Sequence, residues 1–334
     1  MLILGLQGSP RKKGNTRFLL ETFMQSAAKR GARTEIVDVT RKDIIACKEL
    51  VVCEKKGYCP IEDDVLREIY PLLRQAEIVV LASPIFFYNM TAQLKAVVDR
   101  CQTFWARKYR FKLADPAKPM RKGFVLSVAA TKGKNLFEGL LLSAKYFFDA
   151  IDARFEGSLT YRGIEGPGDM ANHPGAVEEI DRTVGQLMAP FMNRKPVLFA
   201  GRDNACRSQM AAAFAQSLAG DHLDVMSAGG RPAEKMNPAM TAAMQELKID
   251  MAYRRPQSIA TALESLTPEL IVTMGSGEPV PAAAAGVRYI EWDLPDPTGL
   301  SVDKIRSIRD DIRDRVQALV KDIENGQIDD RSST

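Results

Sequence analysis

Gly5-Leu-Gln-Gly-Ser-Pro-Arg-Lys-Lys-Gly-Asn-Thr16 follows Met1 to Leu6, a short apolar run with the length of a buried strand. It precedes Arg17 to Arg30, where Phe18, Leu19, Leu20, Phe23 and Ala27 recur at helical spacing. A strand, a loop rich in Gly, Ser, Asn and Thr, and then a helix start make an anion site. The free backbone N–H groups and the positive end of the helix dipole face one point. Ser9, Asn15 and Thr16 add side-chain donors, and Arg11, Lys12 and Lys13 add charge. The pattern is neither Gly-x-Gly-x-x-Gly nor the triphosphate loop ending in Lys-Ser/Thr, so a single terminal phosphate fits better than a dinucleotide or ATP. The competing reading is a polar strand-to-helix turn.

The chain has 334 residues, enough for two domains with proper cores. A formal charge of +4 is mild and gives no reason to expect nucleic acid. No apolar run approaches the about 20 residues of a membrane span, and the N-terminal run is short for a signal peptide. The odd count of five cysteines and the lack of an export signal point to a reduced, cytoplasmic protein.

Thr34 to Val39 and Glu77 to Ala82 read as the second and third strands, with the helix Val65 to Leu73 between them. The loop Ser83-Pro-Ile-Phe-Phe-Tyr-Asn-Met90 follows, then a helix over Thr91 to Phe104. Gly123 to Ala129 is a fourth strand, entering the loop Ala130-Thr-Lys-Gly133 and the helix Leu136 to Ala150; Arg154 to Tyr161 is a fifth. The helix Ala176 to Phe191 completes the set. Alternating strands and helices predict an α/β doubly wound parallel sheet, whose ligand sits outside the strand C-termini. The three loops share that edge.

Gly8-Ser-Pro-Arg11 with Gly14-Asn-Thr16, clustered cysteines before Asp63-Asp64, Ala82-Ser-Pro-Ile-Phe86, and Leu94-Lys95 with Asp99-Arg100 together resemble the NAD(P)H-dependent FMN reductase family, and within it the iron–sulfur flavoproteins. The resemblance implies a flavodoxin-like domain over residues 1–193, with FMN as cofactor and NAD(P)H as co-substrate. It implies that Ser9, Arg11, Asn15 and Thr16 hold the FMN phosphate. Pro84, Ile85, Phe86, Phe87 and Asn89 would line the ribityl chain and ring, and Thr131, Lys132 and Gly133 would close the ring's other side. It also implies a homodimer or homotetramer with flavins near subunit contacts. No side-chain acid or base is demanded, because the flavin carries the hydride chemistry.

Cys47, Cys53 and Cys59 occupy three of the four cysteine positions of the iron–sulfur branch, and Leu50 occupies the second. Four thiolates normally hold a four-iron cluster. Three suit a cluster with an open iron, a zinc with a water, or a degenerate site whose thiols are idle. Cys101 reads as a small core residue. Arg107, Lys108, Arg110, Lys112, Lys118, Arg121 and Lys122, with Trp105, Tyr109 and Phe111, form a basic stretch. It reads as a solvated connection, or as a surface for NAD(P)H phosphates or a neighbouring subunit, with too few aromatics for single-stranded nucleic acid.

Past Asn193-Arg-Lys-Pro196, Val197 to Ala200 begins a second series. Gly201-Arg-Asp-Asn-Ala-Cys-Arg-Ser208 is another strand-to-helix anion loop, with the helix starting at Ser208. Strands follow at Leu223 to Ser227, Leu270 to Met274 and Val287 to Trp292, with helices at Pro238 to Leu247 and Val302 to Ile323. Asn204-Ala-Cys-Arg-Ser-Gln-Met210, Ser227-Ala-Gly229, Asn237-Pro238, Val272-Thr-Met-Gly275 and Trp292-Asp-Leu-Pro-Asp-Pro297 resemble the low-molecular-weight tyrosine phosphatases and their arsenate reductase relatives. The resemblance implies a second doubly wound domain over 194–324, with 325–334 a polar tail. Its chemistry needs Cys-x5-Arg: a thiolate nucleophile, an N–H cradle with Arg for the oxyanion, and a distant Asp acid. Counting back from Arg207, the nucleophile position holds Gly201, and Ser276 and Val280 stand where the reductase's relay cysteines would be. The expectation is an inactive domain in which Asn204, Cys206, Arg207, Ser208 and Asp296 still bind an oxyanion, against the alternative of an inert scaffold.

The combined expectation is an oxidoreductase passing electrons from NAD(P)H through FMN to a quinone, a flavin or a small inorganic or organic acceptor, arsenic compounds among them. The alternatives are a flavoprotein module that senses an oxyanion and an iron–sulfur electron carrier.

Overall fold

A computed structural model describes residues 1–275 and 286–327. The described chain divides into two compact units. One comprises Met1–Lys112 and Met120–Pro190, and the other Leu113–Pro119 with the chain from Phe191 onward. Ser276 and Val280, and the tail beyond residue 327, lie outside the described residues.

The first unit is a five-stranded parallel sheet of β1 (Leu2–Gln7), β2 (Arg33–Asp38), β3 (Ile78–Pro84), β4 (Lys122–Ala129) and β5 (Arg154–Arg162), in the order β2-β1-β3-β4-β5. β1 and β4 are buried along their whole length, as a sheet covered on both faces requires. Its helices include α1 (Asn15–Lys29), α2 (Val52–Lys56), α3 (Tyr70–Gln75), α4 (Ala92–Arg100), α5 (Gln102–Tyr109), α6 (Glu138–Ala150) and α7 (Ala176–Met188). α1 packs closely on β1 at Gly5, where a Cβ would press on the side-chain ends of Met24 and Leu20.

Three local expectations need correction. The helix expected over Thr91 to Phe104 is two helices broken at Cys101, and the second runs into the basic stretch. Val65–Ile69 is a π-helical turn leading into α3, not a plain α-helix. The basic stretch is not a solvated connection throughout. Arg107 donates to the Gly57 carbonyl, Arg121 to the carbonyls of Ala76, Ile151 and Arg74, and Lys122 Nζ to that of Leu187. These buried cations satisfy carbonyls where elements end, the groups most costly to leave without a partner. Cys101 is buried, and burial pushes its thiol up.

The second unit is a four-stranded parallel sheet of β6 (Lys195–Gly201), β7 (Leu223–Gly229), β8 (Leu270–Thr273) and β9 (Arg288–Glu291), in the order β7-β6-β8-β9. Helices α8 (Arg207–Ala219), α9 (Pro238–Glu246) and α11 (Val302–Glu324) build its larger core, and α10 (Ile259–Leu263) its smaller one. Both units are therefore doubly wound α/β sheets. Leu113–Pro119 pairs within this unit: Ala114 exchanges backbone hydrogen bonds with Lys248 and Asp250, and Arg254 contacts Asp115 at 3.4 Å. No described helix is long and apolar enough to cross a membrane.

Candidate functional site

The loops after β1, β3 and β4 leave the same edge of the first sheet because parallel strands all end there. Helix α1 begins at Gly14, which provides no side-chain cap, and its first turn has no acidic residue. Its first N–H groups are thus open to an anion. Ser9 and Thr16 are buried beside this entrance, and Ser9 Oγ accepts from the Arg11 N–H at 3.3 Å. A Cβ on Gly14 would lie 3.0 Å from Arg11 Cβ and 3.6 Å from Ser9 Oγ, so a side chain there would crowd the loop.

Asn15 has side-chain partners of its own. Its Nδ2 donates to the Gly166 carbonyl at 2.9 Å, and its Oδ1 accepts from the Met170 N–H at 3.1 Å. Its side chain therefore ties the 166–170 loop to the start of α1, leaving its backbone N–H and the second Nδ2 hydrogen for an anion.

The second loop is a tight reversal. Phe86 and Asn89 exchange N–H···O bonds at 2.9 and 3.0 Å, and Phe87 and Tyr88 between them have φ of 47° and 63°. Such a two-residue turn normally uses Asn-Gly, and aromatic residues in the left-handed region are strained. The Phe87 side chain is fully exposed, and Phe86 and Tyr88 are about half exposed. The turn rests on α6 because position 139 is glycine: a Cβ there would be 2.5 Å from the Tyr88 carbonyl oxygen. Asn89 Nδ2 donates to Ser143 Oγ at 3.3 Å, and Ile85 N to the Val128 carbonyl at 3.0 Å. Pro84 ends β3. In the third loop Thr131 and Lys132 are exposed, while the Gly133 carbonyl accepts from Arg162 at 3.0 Å. Sequence reading overlooked what braces these loops from behind. Ser127 Oγ donates to the Ser83 carbonyl, the Thr91 N–H to Ser83 Oγ, and Thr91 Oγ1 to the Gly8 carbonyl. The signal was available in Thr91, a Thr at a helix N-cap.

The cysteine segment is clamped at both ends. Arg100 and Asp63 form an ion pair with no exposed side-chain surface, at 2.5 Å. Arg100 also donates to the carbonyls of Ile45 and Ile61, while Asp63 accepts from the N–H groups of Ile45, Val65 and Leu66. Between these anchors Cys47 is exposed and Cys53 and Cys59 are partly so. Leu50 is exposed at the second ligand position. Among the described residues no three potential ligands are gathered to hold a metal ion. With Leu50 at one of the four positions, the segment offers three thiols where a four-iron cluster normally takes four.

In the second unit the loop after β6 curls around a cavity of about 60 Å³. The carbonyls of Gly201, Arg202, Asp203 and Ala205 accept from the N–H groups of Gly230, Arg231, Ala233 and Asn237. In a trans peptide the following N–H points the opposite way, so the loop's own N–H groups turn from that partner segment. Asn204, at φ 48°, links its Nδ2 to Ser208 Oγ and accepts on Oδ1 from Gln209 and the Gln257 N–H. Arg207 opens α8, one residue before the expected start, and donates to the carbonyls of Met274 and Leu294. Cys206 is buried, and its thiol is pushed up to about 12 by burial. The hydroxyl and N–H of Thr298 hold Asp296 below the usual carboxylate range, helped by Arg202 and Arg207. Arg202 also pairs with Asp203 at 3.0 Å and reaches Asp296 at 3.4 Å.

This is a mononucleotide-type loop on a doubly wound sheet, followed by an oxyanion loop on a second one. Residues 1–153 match the NADPH-dependent FMN reductase family and residues 196–328 the low molecular weight phosphotyrosine protein phosphatase family, and through its second part the chain belongs to the latter. An iron–sulfur flavoprotein of Methanocaldococcus jannaschii is 33% identical over 126 residues, which are 38% of this chain and 56% of that one. The chain thus spans about half the length of the iron–sulfur flavoproteins it matches. An arsenate reductase of Bacillus cereus is 33% identical over 132 residues, 39% of this chain and 96% of that one. A solved arsenate reductase in a phosphate-binding state is 29% identical, covers 39% of this chain and 98% of its own, and has a TM-score of 0.36.

Proposed function

We propose that the first unit is an FMN-dependent NAD(P)H oxidoreductase. The observation that carries this reading is the uncapped, anion-ready entrance of α1 at the same sheet edge as the aromatic turn 86–89 and the 131–133 loop. Ser9, Thr16, the cation of Arg11 and the first N–H groups of α1 would hold the phosphate. Pro84 to Phe87 would wall the ring, and Thr131 to Gly133 would cover its other side. Bound FMN would supply two-electron chemistry, from NAD(P)H to a quinone, flavin or small inorganic or organic acceptor. The protein's part is to orient the ring and limit water, and no residue here needs to act as an acid or base. In the second unit the loop binds an oxyanion without attacking it. Gly201 has no nucleophile, and burial pushes the Cys206 thiol up, away from the thiolate form.

An absorption spectrum of the pure protein, followed by titration with NADH and NADPH under argon, tests the first unit. Flavin bands that bleach on titration are expected. A colourless protein that cannot be reconstituted with FMN sinks the reading.

A further inference from the structure

The cysteine segment is a loop with a closed neck. The Asp43 N–H donates to Asp64 Oδ2 at 2.8 Å, and the Asp64 N–H donates back to the Asp43 carbonyl at 3.1 Å. Just inside, one guanidinium grips both sides of the neck: Arg100 donates to the Ile45 carbonyl at 2.7 Å and to the Ile61 carbonyl at 3.1 Å. Cys47 and Cys59 each lie two residues inside that grip, and Cys53 is midway between them. Arg107 fastens the loop body through the Gly57 carbonyl at 2.8 Å. All three thiols are at least partly exposed, and none is in a disulfide. Burial pushes the Cys53 thiol up, and Cys59 and Cys47 push it the same way, so the three lie within electrostatic reach of one another. Among the described residues no three are yet drawn into a metal-holding set, so a ligand has to bring these thiols together. The closed neck keeps their travel short and their effective concentration high. Glu49 and Val51, on either side of Leu50, have φ of 50° and 58°, a strained backbone for a β-branched residue, and a rearranging turn relieves it.

We propose that this loop is a trap for trivalent arsenic, taking up arsenous acid on Cys47, Cys53 and Cys59. The step is a ligand exchange with no change of oxidation state. Three As–O bonds break and three As–S bonds form, and each S–H proton leaves with one hydroxide as water. Three thiols match the three bonds of trivalent arsenic. Its lone pair takes the fourth direction and needs no donor, so Leu50 at the fourth position does not weaken the site. Zinc takes four ligands and a four-iron cluster normally four thiolates, so both are short of a ligand here. Arsenous acid is neutral and carries its own acceptors for the thiol protons, whereas a metal cation requires the thiols to ionise first.

The test is titration of the full-length protein with sodium arsenite, free of small thiols. Thiols reactive toward a disulfide reagent are counted, and the near-ultraviolet absorption of sulfur–arsenic bonds is followed. One bound arsenic should silence all three loop thiols, while the buried Cys101 and Cys206 take no part. Cys47→Ser, Cys53→Ser and Cys59→Ser should each weaken arsenite binding by about a hundredfold or more, because losing one of three linked bonds forfeits the gain from effective concentration. Cys206→Ser should leave that affinity as it is, which separates this loop from the oxyanion loop of the second unit. Leu50→Cys completes a four-thiol set, so excess zinc should displace arsenic from that variant and not from the unaltered protein. Protection of fewer than three thiols, an affinity unmoved by any one of the three loop serine changes, or displacement of arsenic by zinc from the unaltered protein would overturn the proposal.

Discussion

Thr91 Oγ1 donates to the Gly8 carbonyl at 2.7 Å, joining the N-cap of α4 to the start of the β1 loop across 83 residues of sequence. Both residues are buried, so water does not replace this bond. Gly8 is fixed from the other side as well: its N–H donates to the Ala82 carbonyl, and a Cβ there would stand 2.9 Å from Leu94 Cβ. The loop after β1 is therefore braced by β3 and α4, the elements that flank the aromatic turn.

Thr91→Val should leave the Gly8 carbonyl buried without its partner and remove the cap of α4. A stability loss of about 1–3 kcal/mol is expected, with weakened flavin retention. Denaturant unfolding of the apoprotein and flavin release on dilution measure the two effects. An unchanged midpoint would show that the bond contributes nothing.

On the proposed flavin reading, in which both hydroxyls donate to the phosphate, Ser9→Ala with Thr16→Ala should weaken FMN by about tenfold or more. Asn15→Ala should act differently. Its first effect is on the loop it fastens, seen as faster amide exchange over residues 166–170. If Asn15→Ala releases flavin with no change in that loop, its side chain faces the phosphate after all.

Asp63 sets an acid-sensitive clamp. Burial would raise its carboxyl, but the Arg100 guanidinium and the Ile45 N–H outweigh it and hold the group below the usual carboxylate range. A depressed folded pKa stabilises above the unfolded value, near about 4, and that stability is lost as pH falls through the folded value. Asp63→Asn should flatten this part of the acid limb. At neutral pH it should destabilise by about 3–5 kcal/mol, because Arg100 is left buried without a counter-charge. Urea midpoints from neutral to acid pH test both, and parallel acid limbs in the two proteins would refute the assignment.

The unaltered protein should not hydrolyse para-nitrophenyl phosphate, and Gly201→Cys should create that activity. A Cβ at Gly201 would sit 3.3 Å from Ser208 Oγ, a contact that small adjustments relieve, so the loop can accept the thiol. Activity in the unaltered protein that Cys206→Ser abolishes would mean that Cys206 attacks, despite its burial.

The succession of strands and helices and the two anion loops were legible in the sequence, because short-range order sets them. A buried apolar run followed by a glycine-rich turn and an amphipathic helix places free N–H groups at one point wherever it occurs. The missing nucleophile at Gly201 and missing thiol at Leu50 were equally legible, since side-chain chemistry needs no coordinates. Tertiary structure alone decided where polar side chains spanning long separations go. Asn15 turns to a loop 151 residues away, and Arg207 to carbonyls 67 and 87 residues away. Arg121 and Lys122, read locally as part of a charged stretch, are buried under carbonyls from other elements. Leu113–Pro119, lying in sequence between α5 and β4, belongs to the second unit through its pairing with Lys248 and Asp250. Each of these follows from one physical demand, that a buried donor or acceptor find a partner, and the partner's position in sequence is not coded nearby.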